Sequence, residues 1–296
     1  MGKGSYHKKL KYTYVLLSLP AMLIIFVFIL FPVLFNVGVS FTNFSLRRAG
    51  TKIVGLDNYV SFFTDRNTAI IMSNTFKYVF GVIAVQFVLG FLFAMLLAKI
   101  NKGRSIYSAI LFIPWVISQV MAVTAWRLLF NDSYGLINYF LKNWGMQPVS
   151  FLSNKSIVLL TVMALNMWAG YPFSMTLMLS ALKSVPLDVY ESATIDGATG
   201  LKKLFYITFP LIKYSVATNI ILITIYTFNI FTYVFALTNG GPLNYTEIIG
   251  LTMYKAAFTS GRLGYGAAVA VIMLIFNLLF ALIYMYLFRR KDKEAI

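Results

Sequence analysis

Six stretches of this chain, within residues 12–46, 78–98, 105–126, 156–182, 214–246 and 263–288, contain no Asp, Glu, Lys or Arg. Each can supply the roughly 20 apolar residues that a helix needs to cross a bilayer. A backbone in lipid must satisfy its own N–H and C=O groups, which a helix does within one segment. The remaining composition agrees: 59% of residues are hydrophobic and 11% charged, with a mean hydropathy of +0.78, too apolar for a soluble globule. The expected fold is an all-α integral membrane protein with six transmembrane helices. The first stretch follows a basic dozen residues, as a secretory signal would, but it is too long and lacks a small-x-small cleavage pattern, so it reads as a retained span. Pro20 and Pro32 inside it predict local kinks.

The net charge of +16 comes from short basic groups at the ends of the apolar runs. That placement points to membrane topology and away from a nucleic-acid partner. An even number of spans puts both termini on one side. With the amino terminus in the cytoplasm, fifteen of the twenty-five bases lie inside and ten outside, and the short connection from Lys99 to Arg104 is basic with no acid. The excess of bases inside predicts that both termini are cytoplasmic. The expected organisation is a tail over 1–12, one six-span membrane domain over 13–290, and a tail over 291–296.

There is no Cys, and His7 is the only His, so disulfides, structural zinc and thiol catalysis have no support and no metal site is predicted. An ion-coupled carrier places ionisable groups at membrane depth, and these six stretches have none. The Walker A pattern is also absent, so the chain is read as binding no nucleotide cofactor and having no catalytic residues. Energy for uphill movement of a solute has to come from a separate subunit.

The segment from Asp188 to Lys213 lies between the fourth and fifth stretches and holds three of the nine acids and three of the bases. Asp188 to Ile195 reads as a short helix entered through Pro186, and Asp196-Gly197 as its end, where glycine takes a positive φ. A second helical pattern carries Leu201, Leu204 and Phe205 on one side and Lys202 and Lys203 on the other, and Pro210 is expected to stop it. Such a pair of short helices packs on its own spans, lies on lipid as an amphipathic linker, or docks into another protein.

Here the sequence resembles a known family. Glu191-Ser192-Ala193, then Asp196-Gly197-Ala198, then Ile207-Thr208-Phe209-Pro210 look like the EAA loop of membrane subunits of binding-protein-dependent ABC importers, usually Glu-Ala-Ala, Asp-Gly-Ala and Ile-x-Leu-Pro. Ser192 and Phe209 depart from that form mildly. Val54-Gly55-Leu56-Asp57-Asn58-Tyr59 resembles the first external loop of the sugar-permease branch, and taken alone reads as a polar turn. The resemblance covers nearly the whole chain and is greatest to the maltose-permease-like, larger partner of the pair.

The resemblance implies a permease in the bacterial cytoplasmic membrane. It would act with a second permease, as a heterodimer or else a homodimer, with two copies of a cytoplasmic ABC ATPase, and with an external solute-binding protein. ATP and Mg would be used by the ATPases. The loop would sit in an ATPase cleft, with Glu191 as the docking contact, Asp196 as its partner, Gly197 as the turn, and Tyr190, Ala193, Ala198 and Phe205 as apolar packing.

For the solute path, Asn166 to Phe173 and Tyr226 to Asn229 place amides and aromatic rings inside apolar stretches. Rings stack on the C–H faces of a sugar while amides meet its hydroxyls, so an uncharged carbohydrate, an oligosaccharide by the resemblance, is expected. The candidate residues are Trp115, Gln119, Asn166, Gly170, Phe173, Tyr226, Thr227 and Asn229. The same side chains could instead hold helices together in lipid. The alternative function is a stand-alone carrier or channel for a small polar solute. Small residues at Gly264-Tyr265-Gly266-Ala267-Ala268 predict close packing where the last span opens.

Overall fold

The computed structural model describes residue 14 and residues 16–290, with side chains through Leu287. Both expected tails, 1–12 and 291–296, therefore lie outside the described residues. The described residues form helices and turns and no strand; one isolated bridge pairs Thr42 with Ile53. In order, the helices are α1 (Leu16–Ser40), α2 (Asp57–Thr64), α3 (Thr68–Lys99), α4 (Arg104–Val116), α5 (Gln119–Leu129), α6 (Leu136–Asn143) and α7 (Val158–Lys183). They continue with α8 (Leu187–Ile195), α9 (Gly200–Asn229), α10 (Thr232–Thr238), α11 (Ile249–Tyr254, carried on by a wide turn over Lys255–Thr259) and α12 (Leu263–Arg290). By length and composition α1, α3, α7, α9 and α12 can each cross a membrane, and α4 with α5 forms a sixth, bent crossing.

The chain divides into two compact units, Met1–Thr64 with Met253–Ile272, and Asp65–Thr252 with Met273–Ile296. In the first, the Asn58 side-chain amide donates to the carbonyls of Ser40 and Thr42 at 2.9 and 2.8 Å, and the Tyr59 hydroxyl lies 2.6 Å from Ser40 Oγ. Asn58 thereby takes up carbonyls left over at the end of α1. The small residues opening α12 do pack closely, since a Cβ on Gly266 would fall 2.8 Å from that of Ala257.

In the second unit α3 lies along α7, with α9 against both and α4 against α7. Phe91, Ala94 and Leu97 of α3, Tyr171, Met175 and Met178 of α7, and Ile212 and Val216 of α9 form the core. A Cβ on Gly90 would sit 2.5 Å from Ser174 Cβ and 2.8 Å from Met175 N, so glycine lets the two backbones approach. In lipid, where apolar surface gains nothing by leaving its solvent, such close packing is what holds helices together. Arg104 donates through Nε to the carbonyls of Leu97 and Ile100, closing the end of α3.

Three expectations are corrected. The stretch 105–126 is not a straight span: α4 and α5 meet at 90° across Ile117-Ser118, both with extended ψ. Pro114, in the last turn of α4, lacks an N–H to continue the ladder. Pro210 does not stop a helix either. Leu204–Thr208 widens into a π-turn, with Phe209 N–H bonded to Leu204 O, and α9 runs on to Asn229. The wide turn gives the proline ring space that a regular turn denies it. Phe31-Pro32 in α1 repeats the device, with Phe31 N–H bonded to Phe26 O after the π-turn Phe26–Leu30. Finally, the uncharged run 214–246 is not one span: the fifth crossing helix ends at Asn229, Ile230 is extended and α10 is a separate short helix.

Candidate functional site

Two places in the second unit gather the residues singled out by the sequence. The first is the segment from α8 into the start of α9. Pro186 precedes α8 and Asp188 is in its first turn, where a carboxylate meets the positive end of the helix dipole. The helix closes through Gly197 at φ +76°. Ala198 N–H donates to Ala193 O at 2.9 Å and Gly197 N–H to Thr194 O at 3.1 Å, a Schellman closure.

Glu191, Asp196 and Gly197 are exposed, and Ala198 is half-buried. A groove of about 450 Å³ runs between Asp188, Ser192, Ala193, Asp196, Ala198 and Ile207. Ala193 is 6% exposed, and Val189, Tyr190 and Leu204 pack on the chain's own core. The Tyr190 hydroxyl lies 3.2 Å from Thr208 Oγ1. Tyr190 and Ala193 thus pack α8 against its own spans, and Ala193 also lines the groove. Phe205 is exposed, as are Leu187, Ile195, Leu201 and Tyr206. Phe205 stacks on Phe209 at 5.7 Å, and Phe209 stacks on Phe91 of α3 at 4.9 Å. Pro210 lies exposed within α9, two residues past the π-turn.

The second place is a cavity of about 260 Å³ lined by Pro114, Trp115, Ile117, Gln119, Asn166, Ala169, Gly170, Tyr226 and Tyr233. It lies at both helix breaks, Ile117-Ser118 between α4 and α5 and Ile230-Phe231 between α9 and α10. Irregular backbone at membrane depth is tolerated where it lines a cavity. Trp115 stacks on Phe173 at 5.2 Å and lies 6.0 Å from the Tyr226 ring. Gln119 Nε2 donates to the Tyr226 hydroxyl at 3.2 Å.

Asn166 is fully buried; its Nδ2 donates to the Tyr78 hydroxyl at 2.9 Å, while its Oδ1 has no hydrogen-bond partner among the described residues. Gln86 Nε2 donates to Gly170 O at 3.0 Å, and its Oε1 is likewise buried without a partner. A Cβ on Gly170 would meet that amide at 2.6 Å, so glycine keeps room for Gln86 beside the cavity. Buried acceptors without partners cost about 1–3 kcal/mol each until a water or solute hydroxyl donates to them.

The structure thus brings together Trp115, Gln119, Asn166, Gly170, Phe173 and Tyr226. It does not bring Thr227 or Asn229 to this cavity. Thr227 is fully buried with an unpartnered hydroxyl, and Asn229 donates to Ile225 O at 2.6 Å and accepts from Asn277 Nδ2 at 3.3 Å. Thr227, one position on from Tyr226, lies on another face of the helix, whereas Asn229, three positions on, is engaged by Ile225 and Asn277 beyond the cavity lining. Tyr78, Gln86 and Tyr233 were missed, because nothing adjacent in sequence sets the lone amide Gln86, or these two among the chain's nineteen tyrosines, apart. Arg127 of α5 was missed as well: its Nη2 donates to the carbonyls of Ala236 and Leu237. A cation at the last turn of α10 meets the negative end of its dipole and fixes the short helix.

Residues 86–293 match the family model described as the binding-protein-dependent transport system inner membrane component. The chain belongs to that family. It is similar to the trehalose/maltose transport system permease protein MalF of Thermococcus litoralis, 31% identical over 278 residues that cover 94% of each chain. It is 29% identical to the galactooligosaccharides transport system permease protein GanP of Bacillus subtilis, covering 92% of this chain and 68% of that one. Its fold matches a chain in the crystal structure of a bacterial alginate ABC transporter in complex with an alginate pentasaccharide-bound periplasmic protein. That match has a TM-score of 0.83 at 22% identity, over 97% and 98% of the two chains. This inner-membrane component is accordingly a multi-pass permease subunit of an ABC importer.

Proposed function

We propose that this permease conducts an uncharged carbohydrate, an oligosaccharide in size class, through the cavity beside the two broken helices. The observation that carries this reading is the lining itself: a Trp, two Tyr and two amides, with no charged group and with unpartnered amide oxygens on Asn166 and Gln86 beside it. Sugar C–H faces stack on Trp115 and Tyr226, and sugar hydroxyls donate to Asn166 Oδ1 and exchange hydrogen bonds with Gln119 and Tyr233. The relatives named for trehalose/maltose and galactooligosaccharides support the substrate class.

Residues 13–290 work as one membrane domain with both tails in the cytoplasm, in a pair with a second permease. Each permease docks on one of two ATPase subunits, which bind the ATP and Mg, and an external binding protein delivers the solute. The segment Asp188–Lys213 is the docking element, with Glu191 and Asp196 as polar contacts, Gly197 as its turn, and Ala198, Phe205 and the exposed Ile195 and Leu201 as apolar surface. When the ATPases close, the docked helix moves, and the Phe205–Phe209–Phe91 stack carries that movement into α3.

The test is purification from the native membrane, identification of what co-purifies, and reconstitution into liposomes. The expected result is recovery of an ABC ATPase and a second permease, with oligosaccharide uptake that requires ATP and the binding protein. Flux of solute through the chain alone would instead establish a self-contained carrier.

A further inference from the structure

Within the first unit, the residues that follow α1 are pinned to those that open α12. Leu46 N–H donates to Gly261 O at 2.9 Å and Gly264 N–H to Phe44 O at 2.8 Å. Gly264 has to be glycine, because a Cβ there would sit 1.9 Å from Thr42 O. Arg47 Nη2 adds a bond to Thr259 O at 2.8 Å, and the Arg262 guanidinium lies 4.5 Å from the centre of the Tyr265 ring. These contacts enclose a cavity of about 500 Å³ whose lining includes Asn43, Arg47, Arg48, Asn58, Arg262 and Tyr265, and no acid. Phe44 lines this cavity and also a second, apolar groove of about 370 Å³, formed with Phe35, Gly38 and Val39 of α1.

We propose that the two hollows are one binding site for an anionic phospholipid, its phosphate among Arg47, Arg48 and Arg262 and an acyl chain along Phe35, Gly38 and Val39. Guanidinium groups keep their charge at all accessible pH values and match phosphate oxygens in pairs. Three of them around one cavity repel each other unless an anion lies between. The site lies just past the end of one candidate span and at the start of another, the depth at which lipid headgroups meet a membrane protein. The apolar groove makes the occupant a lipid: a free phosphate or a carboxylate-bearing protein surface has nothing to place along α1.

The assembled transporter is purified from its own membrane, and phosphatidylglycerol retained through detergent exchange is counted by mass spectrometry. The expected result is retention by wild type and a loss of about tenfold or more in the triple variant Arg47→Gln, Arg48→Gln, Arg262→Gln, as befits charge-assisted phosphate bonds. Gly38→Trp is the second variant; open space surrounds a Cβ at that position, so it fills the groove without disturbing the cavity, and it also lowers retention. If the triple variant does not assemble, Gly38→Trp decides alone. Unchanged retention in the variants overturns the proposal. So does displacement of the bound anion by inorganic phosphate with no effect of Gly38→Trp, which would make this a free-anion site. Retained lipid with lost response to the binding protein in the arginine variant would assign the cavity to that protein instead.

Discussion

The α8 segment and the cavity between the broken helices are both polar places in an apolar chain, and they are made in opposite ways. The α8 segment is local: Pro186, Glu191, Gly197 and Pro210 fall within one short stretch, and its closure depends on bonds between residues at most five apart. The cavity draws on α3, α4, α5, α7, α9 and α10, and its most telling pair, Asn166 and Tyr78, lies 88 residues apart. A local element exposes its working groups and can be changed without disturbing the bundle. An assembled one buries them, so each of its residues is both wall and working surface.

The comparison can be tested by changes that separate the two regions. The largest expected effect is from Glu191→Lys. Its side chain is exposed, so the variant should insert and pair normally yet lose the ATPase in a pull-down, with ATP-driven uptake falling a hundredfold or more, the scale of losing a hydrogen-bonded interfacial charge at about 2–5 kcal/mol. Normal co-purification and uptake would mean that α8 is only a seat for the spans. Next is Asn166→Leu, which removes the unpartnered acceptor and the bond to Tyr78. Apparent affinity for solute should fall about tenfold, for 1–3 kcal/mol, while ATPase association stays intact; loss of both together would show that the regions are not separable.

Gly197→Ala should cost about 1 kcal/mol, the penalty of a left-handed conformation for a residue with a Cβ, visible as a fewfold loss of ATPase affinity with solute affinity unchanged. Smallest is Thr227→Val. This buried hydroxyl has no partner and does not line the cavity, so uptake should be unchanged and stability should hold or rise slightly. A marked loss of solute affinity there would return Thr227 to the path that the sequence suggested for it.

The α8 segment was legible because its signals are short-range. A proline before a helix, a glycine after it and charges between two uncharged runs each have a local physical meaning that neighbours in space do not alter. Pro210 shows the limit of that logic. As a helix breaker it should end the second short helix, yet a π-turn ahead of it absorbs the ring and lets α9 continue. The cavity was legible only in part. Asn166, Trp115 and Tyr226 stood out as polar or aromatic within apolar stretches, but their relation to Tyr233 depends on where α9 breaks, and nothing in the run 214–246 marks Ile230 as the break.

By itself the sequence determined that this chain is a bundle of membrane helices, how many apolar runs it has, and where the charged helical connection between its fourth and fifth runs lies. These follow from the cost of placing charge or open backbone in hydrocarbon, which is paid residue by residue and so can be read residue by residue. Tertiary structure alone decided that the third crossing bends by 90°, that the fifth stops at Asn229, and that Thr227 and Asn229 stay out of the cavity lining while Gln86 and Tyr78 stand beside it. In lipid the apolar pattern does not distinguish a helix face turned to a neighbour from one turned to solvent. Which side of each helix works is therefore set by close packing at positions such as Gly90 and Gly170, where the partner helix has to be present before the fit exists.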